Sequence, residues 1–308
     1  MTTPTLTRRA ALTAVAAMPA ALALPVAPAR AAAPMQTGGN APFHRFRLGE
    51  MEVTTLLAGS RLNDTPREIF GLNVDDATFA AASDAAFIPT DKAMNFFTPT
   101  LVNTGAQLIL FDTGLDPAGI TAALAAAGYT PDQVDLVVLT HMHGDHIGGL
   151  AGEAGPTFAK ASYVAGAAEH NHWSGTDNEG FAAKVKPLSD RTTMLEDGGT
   201  VAPGITAMLA AGHTPGHMVF QLESAGQRLL LGADMANHYV WSLAHPDWEV
   251  RYDMDKAQAA QTRRRLLGML AADRVPFIGY HMPFPGVGFV EAVGEGFRFV
   301  PHSYQMML

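Results

Sequence analysis

The stretch VVLTHMHGDHIGGL, Val137 to Leu150, constrains this chain more than any other part of it. An apolar run ends at Thr140, and His141, His143, Asp145 and His146 follow at once. A short apolar strand that hands polar side chains to a glycine-containing turn presents a site from a rigid scaffold. The two histidines of His141-Met142-His143 converge if the backbone turns sharply after the strand. Imidazole and carboxylate together suit zinc or a similar first-row divalent ion. Four donors this close can serve two ions, provided that further donors arrive from elsewhere.

The chain offers them. His213 in MLAAGHTPGH, Asp234 in LLLGAD and His281 in FIGYH each follow an apolar strand-like run. There is no cysteine, which excludes thiolate ligands and cysteine nucleophiles and leaves histidine and carboxylate to hold any metal. The net charge is −9, with no block of like charge, which argues against a nucleic-acid partner. With 48% hydrophobic residues the chain can bury a large core.

The N-terminus reads as an address. Arg8 and Arg9 precede an alanine- and leucine-rich run, and APARAAAP supplies an A-x-A arrangement. Residues 1–31 are therefore expected to be an export signal, resembling the twin-arginine type and cleaved after Ala31, with a Sec signal as the other reading. Pro19 and Pro25 interrupt the run and argue against a spanning helix, so the expectation is a periplasmic or secreted protein without stable membrane association. Residues 32–42 should be a flexible mature N-terminus, and 43–308 one catalytic domain.

Within that domain, HRFRLGEMEVTTLLAG reads as two strands around Gly49, and TPTLVNTGAQLILFDTG as a hairpin. A helix should open on Asp116-Pro117 and end at Gly128, before the buried strand VDLVVLT. Asn63 to Asn95 reads as irregular or weakly helical, as does an insert from Ala167 to about Lys186. The second half adds a strand in GPTFAKASYVAG and four more between Gly204 and His281. It also carries the best amphipathic helix, over Asp253–Asp273. Two halves of strands with helices laid outside predict an α/β fold, a four-layer αββα sandwich.

The combination H-x-H-x-D-H, H-T-P-G-H, a strand-end Asp and a final strand-end His resembles the metallo-β-lactamase superfamily. LFDTG (Leu110 to Gly114) is similar to the motif that precedes the metal loop there. The resemblance runs from about Phe43 to the C-terminus. Thr100 to Gly105, AAGYTPDQVD, HMPFPGVG and GEGFRFVPHSY are similar to methyl parathion hydrolase and its relatives.

This resemblance implies two divalent ions, zinc foremost, with manganese, iron or cobalt as alternatives. His141, His143 and His213 would hold one ion, Asp145, His146 and His281 the other, and Asp234 would bridge them. A hydroxide shared by the ions would attack a small-molecule ester-type substrate: an organophosphate triester, a lactone or an aryl ester. Asp145 and Asp234 are the carboxylates it implies in catalysis. Asp234 weighs against a β-lactamase-type amide hydrolase, since true β-lactamases of this family generally lack a bridging carboxylate there. That activity, or a non-catalytic metal-binding scaffold, is the alternative, and a homodimer is left open.

Around the ligands, Asp112 is expected to orient the metal loop through hydrogen bonds, and His217 to act as a structural hydrogen-bonding histidine. Phe96, Phe97, Trp173 and Phe284, with Phe70, are candidates to line an apolar pocket. His170 and His172 form a second H-x-H but lack the strand and the following Asp-His, so they read as surface residues. His44, His238, His245 and His302 are given no role.

Overall fold

Alternation of apolar side chains decides the layers. The computed structural model describes Gly39 and residues 41–307, so the expected export signal and most of the flexible segment lie outside the described residues. In chain order the first strands are β1 (Phe43–Leu48), β2 (Met51–Leu56), β3 (Gly59–Asn63), β4 (Ala93–Phe97), β5 (Thr100–Asn103) and β6 (Leu108–Phe111). Then come β7 (Leu136–Leu139), the short pair β8 (Ala151–Gly152) and β9 (Gly155–Pro156), β10 (Ser162–Gly166) and β11 (Thr192–Leu195). The second half adds β12 (Thr200–Ala202), β13 (Ile205–Leu209), β14 (Met218–Ser224), β15 (Gln227–Ala233), β16 (Phe277–Gly279), β17 (Val287–Val293) and β18 (Gly296–Pro301). The α-helices are α1 (Asp76–Ala85), α2 (Pro117–Ala126), α3 (Gly144–Ile147), α4 (Ala167–Ser174) and α5 (Lys256–Asp273).

Two seven-stranded sheets result, in the orders β1-β2-β5-β6-β7-β10-β11 and β12-β13-β14-β15-β16-β17-β18. In β7, Leu136 and Val138 pack with Phe220, Leu222 and Leu231 of the other sheet, whereas Val137 and Leu139 pack outward with Ile120 and Leu124 of α2. In β15, Leu229 and Leu231 point between the sheets while Leu230 packs with Leu266, Leu267 and Leu270 of α5. A period of two thus sorts each strand between a shared inner core and an outer, helix-covered one. This is the αββα sandwich expected from the sequence.

The strands that carry the site are joined by parallel crossovers. β6 pairs parallel with β7, β7 with β10, and β15 with β16. Such pairs need long connections, and α2 and α5 supply two of them. α2 begins as expected, with the Asp116 carboxylate accepting the Gly119 amide at 2.8 Å and Pro117 in the first turn. α5 starts three residues later than expected. Asp255 caps it, and Asp253 is buried elsewhere.

The segment from Asn63 to Asn95 is more ordered than its sequence suggested. It contains α1 and closes an antiparallel arm, β3 with β4, in which Arg61 faces Asn95 and Leu62 faces Met94. β3 is largely exposed and lacks the apolar alternation that marks a half-buried strand, so its sequence carries no strand signal. No helix among the described residues is long and apolar enough to cross a membrane.

Candidate metal centre

Seven side chains converge at one end of the two sheets, arriving from five places in the chain. His141 and His143 follow β7, while Asp145 and His146 open α3. His213 lies on the β13–β14 connection, Asp234 directly after β15, and His281 after β16. Three groups could each hold a cation: His141, His143 and His213; His141, His146 and Asp234; Asp145, His146 and His281. Loops at strand ends bring these residues together while the strands themselves stay packed.

His143 Nδ1 lies 3.2 Å from His141 Nε2 and 3.0 Å from His213 Nε2. His281 Nε2 lies 3.3 Å from Asp145 Oδ2 and 3.2 Å from Asp234 Oδ2. Asp234 reaches toward both groups, with Oδ2 3.3 Å from His213 Nε2 and Oδ1 3.2 Å from His146 Nε2. The last pair is close yet misaligned for a hydrogen bond, and both atoms are buried without a hydrogen-bond partner. Buried orphan donors and acceptors are costly. Here they face each other across a nitrogen-and-oxygen cage whose chemistry fits a divalent cation.

The opposite ring nitrogens are fixed. His146 Nδ1–H donates to Asp112 Oδ2 at 2.8 Å, His213 Nδ1–H to Asp253 Oδ1 at 2.9 Å, and His281 Nδ1–H to the Phe96 carbonyl at 2.8 Å. The Thr140 hydroxyl donates to Asp112 Oδ2 at 2.8 Å, so its oxygen accepts from His141 Nδ1–H at 3.1 Å. Each of these rings therefore presents Nε2 to the cage. Asp112, left-handed at φ 60°, steers His146 directly and His141 through Thr140. His217 stands behind Asp234, accepting its amide at Nε2 (3.1 Å) and donating from Nδ1 to the Ala210 carbonyl (3.1 Å).

Electrostatics divide the cage. Burial, reinforced by the neighbouring His213, pushes His143 down to about 3, so it is neutral near pH 7. Burial also lowers His281, but the Asp234 and Asp145 carboxylates outweigh it and raise the ring to about 10. Burial alone would raise Asp145, yet His146 and His281 hold it at about 2. Both carboxylates favour positive charge beside them, and a bound dication satisfies the same demand.

A cavity of about 560 Å³ opens over the cage, lined among others by His143, Asp145, His213, Asp234 and His281. Phe97 and Phe70 line it. Phe96 does not: adjacent strand residues face opposite ways, and its ring borders a neighbouring cavity of about 360 Å³. Trp173 and Phe284 line neither cavity, which corrects that expectation. Trp173 is buried, with its indole N–H held by Glu169, and Phe284 is half-buried in the turn beyond His281. His170 and His172 sit on α4 rather than in the cage, and His170 meets Ser189 at 2.9 Å.

Sequence reading missed Arg61, Asn95, Leu115, Asn237 and Tyr252 in the cavity wall. It also missed Glu169, Asp253 and Arg263 behind the ligands. Arg263 is fully buried, and its Nη1 donates to Asp253 Oδ2 at 3.0 Å. One signal was available: Arg263 falls on the same helical stripe as Ala259, Leu266, Leu267 and Leu270. A cation on an apolar stripe asks for a buried partner.

The family model described as the metallo-beta-lactamase superfamily matches residues 98–277, more than half of the chain. The lactamase-like protein nscB of Neosartorya fischeri is 31% identical over 139 residues, which are 45% of this chain and 37% of that protein. The probable metallo-hydrolase YybB of Bacillus subtilis is 30% identical over 129 residues, 39% of this chain and 53% of that protein. The chain thus matches about half or less of these relatives' own lengths. Among solved structures, AidC, a dizinc quorum-quenching lactonase with a bound product, N-hexanoyl-L-homoserine, superposes with a TM-score of 0.79. It is 25% identical, over 85% of this chain and 98% of AidC. The hydrolase AbOPH of the beta lactamase superfamily gives the same TM-score at 22% identity, over 87% and 100% of the two chains, a likeness of fold.

Proposed function

Because the chain belongs to the metallo-beta-lactamase superfamily, we propose that it is a dinuclear metal-dependent hydrolase of a small ester-type substrate: a lactone, an aryl ester or an organophosphate triester. The observation that carries this reading is Asp234, whose two oxygens lie within 3.3 Å of His213 and 3.2 Å of both His146 and His281. A carboxylate in that position joins the two groups of donors into one centre. The dizinc lactonase AidC supports the lactone among the substrates. The HMPFPGVG and GEGFRFVPHSY segments support the triester, through their resemblance to methyl parathion hydrolase.

Two ions held by His141, His143 and His213, and by Asp145, His146 and His281, would supply an activated water and polarise the substrate oxygen on which charge develops. The chain's own residues do the rest. Asp112, Asp253 and the Phe96 carbonyl accept the Nδ1 protons of His146, His213 and His281, so Nε2 is the nitrogen each ring would offer an ion. Asp145, ionised above about pH 2 and partly open to the cavity, would take a proton from water and return it to the leaving group. Tyr280 Oη–H holds the Asp145 backbone carbonyl at 2.6 Å, which fixes where that carboxylate starts. Phe70 and Phe97 supply apolar wall for an acyl or aryl group.

The Arg8-Arg9 segment supports export to the periplasm or beyond. A panel of an N-acyl lactone, an aryl ester, a phosphotriester and a β-lactam tests the substrate class. Turnover of at least one of the first three, lost on chelation and restored by zinc or manganese, is expected. Turnover of the β-lactam alone would overturn the ester reading in favour of amide hydrolysis.

A further inference from the structure

Glu169, in the first turn of α4, is buried to 1% exposure and has no part in the ligand set above. Its carboxylate receives four hydrogen bonds. Oε1 accepts from the Met142 amide at 2.9 Å and from Trp173 Nε1 at 2.6 Å. Oε2 accepts from the Thr214 hydroxyl at 2.7 Å and from the Gly216 amide at 3.0 Å. Met142 lies between His141 and His143, and Thr214 directly follows His213. One carboxylate therefore grips both loops that carry the first group of histidines.

The packing around it is just as specific. A Cβ on Gly216 would lie 2.0 Å from the Glu169 backbone nitrogen, so only glycine lets the His213 loop dock on the first turn of α4. Trp173, one helical turn beyond Glu169, sets its ring 5.9 Å from that of His143. The roots of the two loops are tied separately, by the Met218 amide donating to the Thr140 carbonyl at 2.9 Å. Glu169 ties their tips. Among the described residues, no lysine or arginine pairs with it within 4 Å, so these four donors carry its charge.

We propose that Glu169 is a positioning residue that sets the spacing between His143 and His213, and thereby the metal affinity of the His141–His143–His213 group but not that of Asp145–His146–His281. This rests on the dinuclear reading above. The chemistry of the pair of oxygens makes the effect of one variant directional. In Glu169→Gln the amide oxygen can keep two donors, and the Met142 and Trp173 N–H groups, which cannot reverse, claim it. The amide nitrogen then faces Thr214, whose hydroxyl can turn and accept, and the Gly216 N–H, which cannot. The His213 loop is the one released.

The test is a stepwise Zn²⁺ titration of the full chain against a chromophoric chelator, in two backgrounds that each keep one group of donors. In His281→Ala, which leaves the first group intact, Glu169→Gln is expected to weaken zinc about 10- to 100-fold, the usual cost of losing a partner behind a metal ligand. In His143→Ala, which leaves the second group, the same change should shift affinity by less than about threefold. Thr214→Val, which removes one donor only, should reproduce the first effect at smaller size and serves if Glu169→Gln does not fold. Equal weakening in both backgrounds, or none in either, overturns the proposal. A wild-type chain that binds no zinc at all overturns the dinuclear reading itself.

Discussion

At the scale of single residues, the cage is arranged by groups that never face the cavity. Asp112 is the most economical of them, since one carboxylate fixes His146 and, through Thr140, His141. It does so from a left-handed backbone conformation, φ 60°, that a non-glycine residue seldom adopts. Asp112→Ala is therefore expected to weaken both ions, each by about 10- to 100-fold, whereas Glu169→Gln weakens one. Chelator competition on the two variants separates the outcomes. His238 allows a prediction about pH away from the ligands. Burial lowers it to about 3, and its Nδ1 accepts from the Val240 and Trp241 amides at 3.1 and 3.2 Å, so the fold needs it neutral. A histidine whose folded pKa is depressed contributes stability above its unfolded value of about 6.5 that is lost as pH falls towards 3. Between those limits the loss is at most about 1.4 kcal/mol per pH unit. His238→Asn, whose side-chain oxygen can accept the same amides, should flatten urea stability measured between pH 6.5 and 4.5. An unchanged slope would show that His238 is not buried neutral.

At the scale of elements, α5 does more than cover the second sheet. Arg263 donates to Asp253, to the Pro246 carbonyl at 2.9 Å and to the Trp248 carbonyl, while Asp253 holds His213. A helix is thus coupled to a candidate metal ligand through a buried ion pair. Removing one partner of such a pair leaves the other charge uncompensated, so Arg263→Met is expected to cost about 3–5 kcal/mol. The double change Arg263→Met with Asp253→Asn should recover much of that, as read by urea unfolding of the metal-free chain. Equal losses in single and double variants would contradict the coupling. Neither Asp253 nor Glu169 was legible in the sequence. Asp253 reaches His213 across 40 positions, and Glu169 reaches Met142, Thr214 and Gly216 across 27, 45 and 47, so neither lies in a local pattern that periodicity reports. By contrast β7, with four buried apolar residues running into His141, announced itself, because there the strand and the site share one stretch of chain. The β3–β4 arm was hidden for the opposite reason. Most of β3 is exposed, and what the arm builds is chiefly the wall of a cavity.

At the scale of the whole molecule, the candidate centre joins two sheets from the two halves of the chain. His141, His143, Asp145 and His146 come from the first sheet's connections, and His213, Asp234 and His281 from the second's. Cations bound there would cross-link the halves, and ligands that bind only the native state stabilise it by mass action. At free metal 100 times its Kd this amounts to about 2.7 kcal/mol per site, so chelation should lower the unfolding temperature by several degrees. The most direct measurement counts metal and rate on the same samples. Protein is dialysed against a graded series of chelator concentrations, its ions per chain are determined by elemental analysis, and hydrolysis of the best ester or lactone substrate is followed in each. About two ions per chain are expected at the start, with a rate that falls as they leave and returns when zinc or manganese is restored, and no recovery in Asp234→Ala. Full hydrolysis by protein stripped of metal would contradict that expectation.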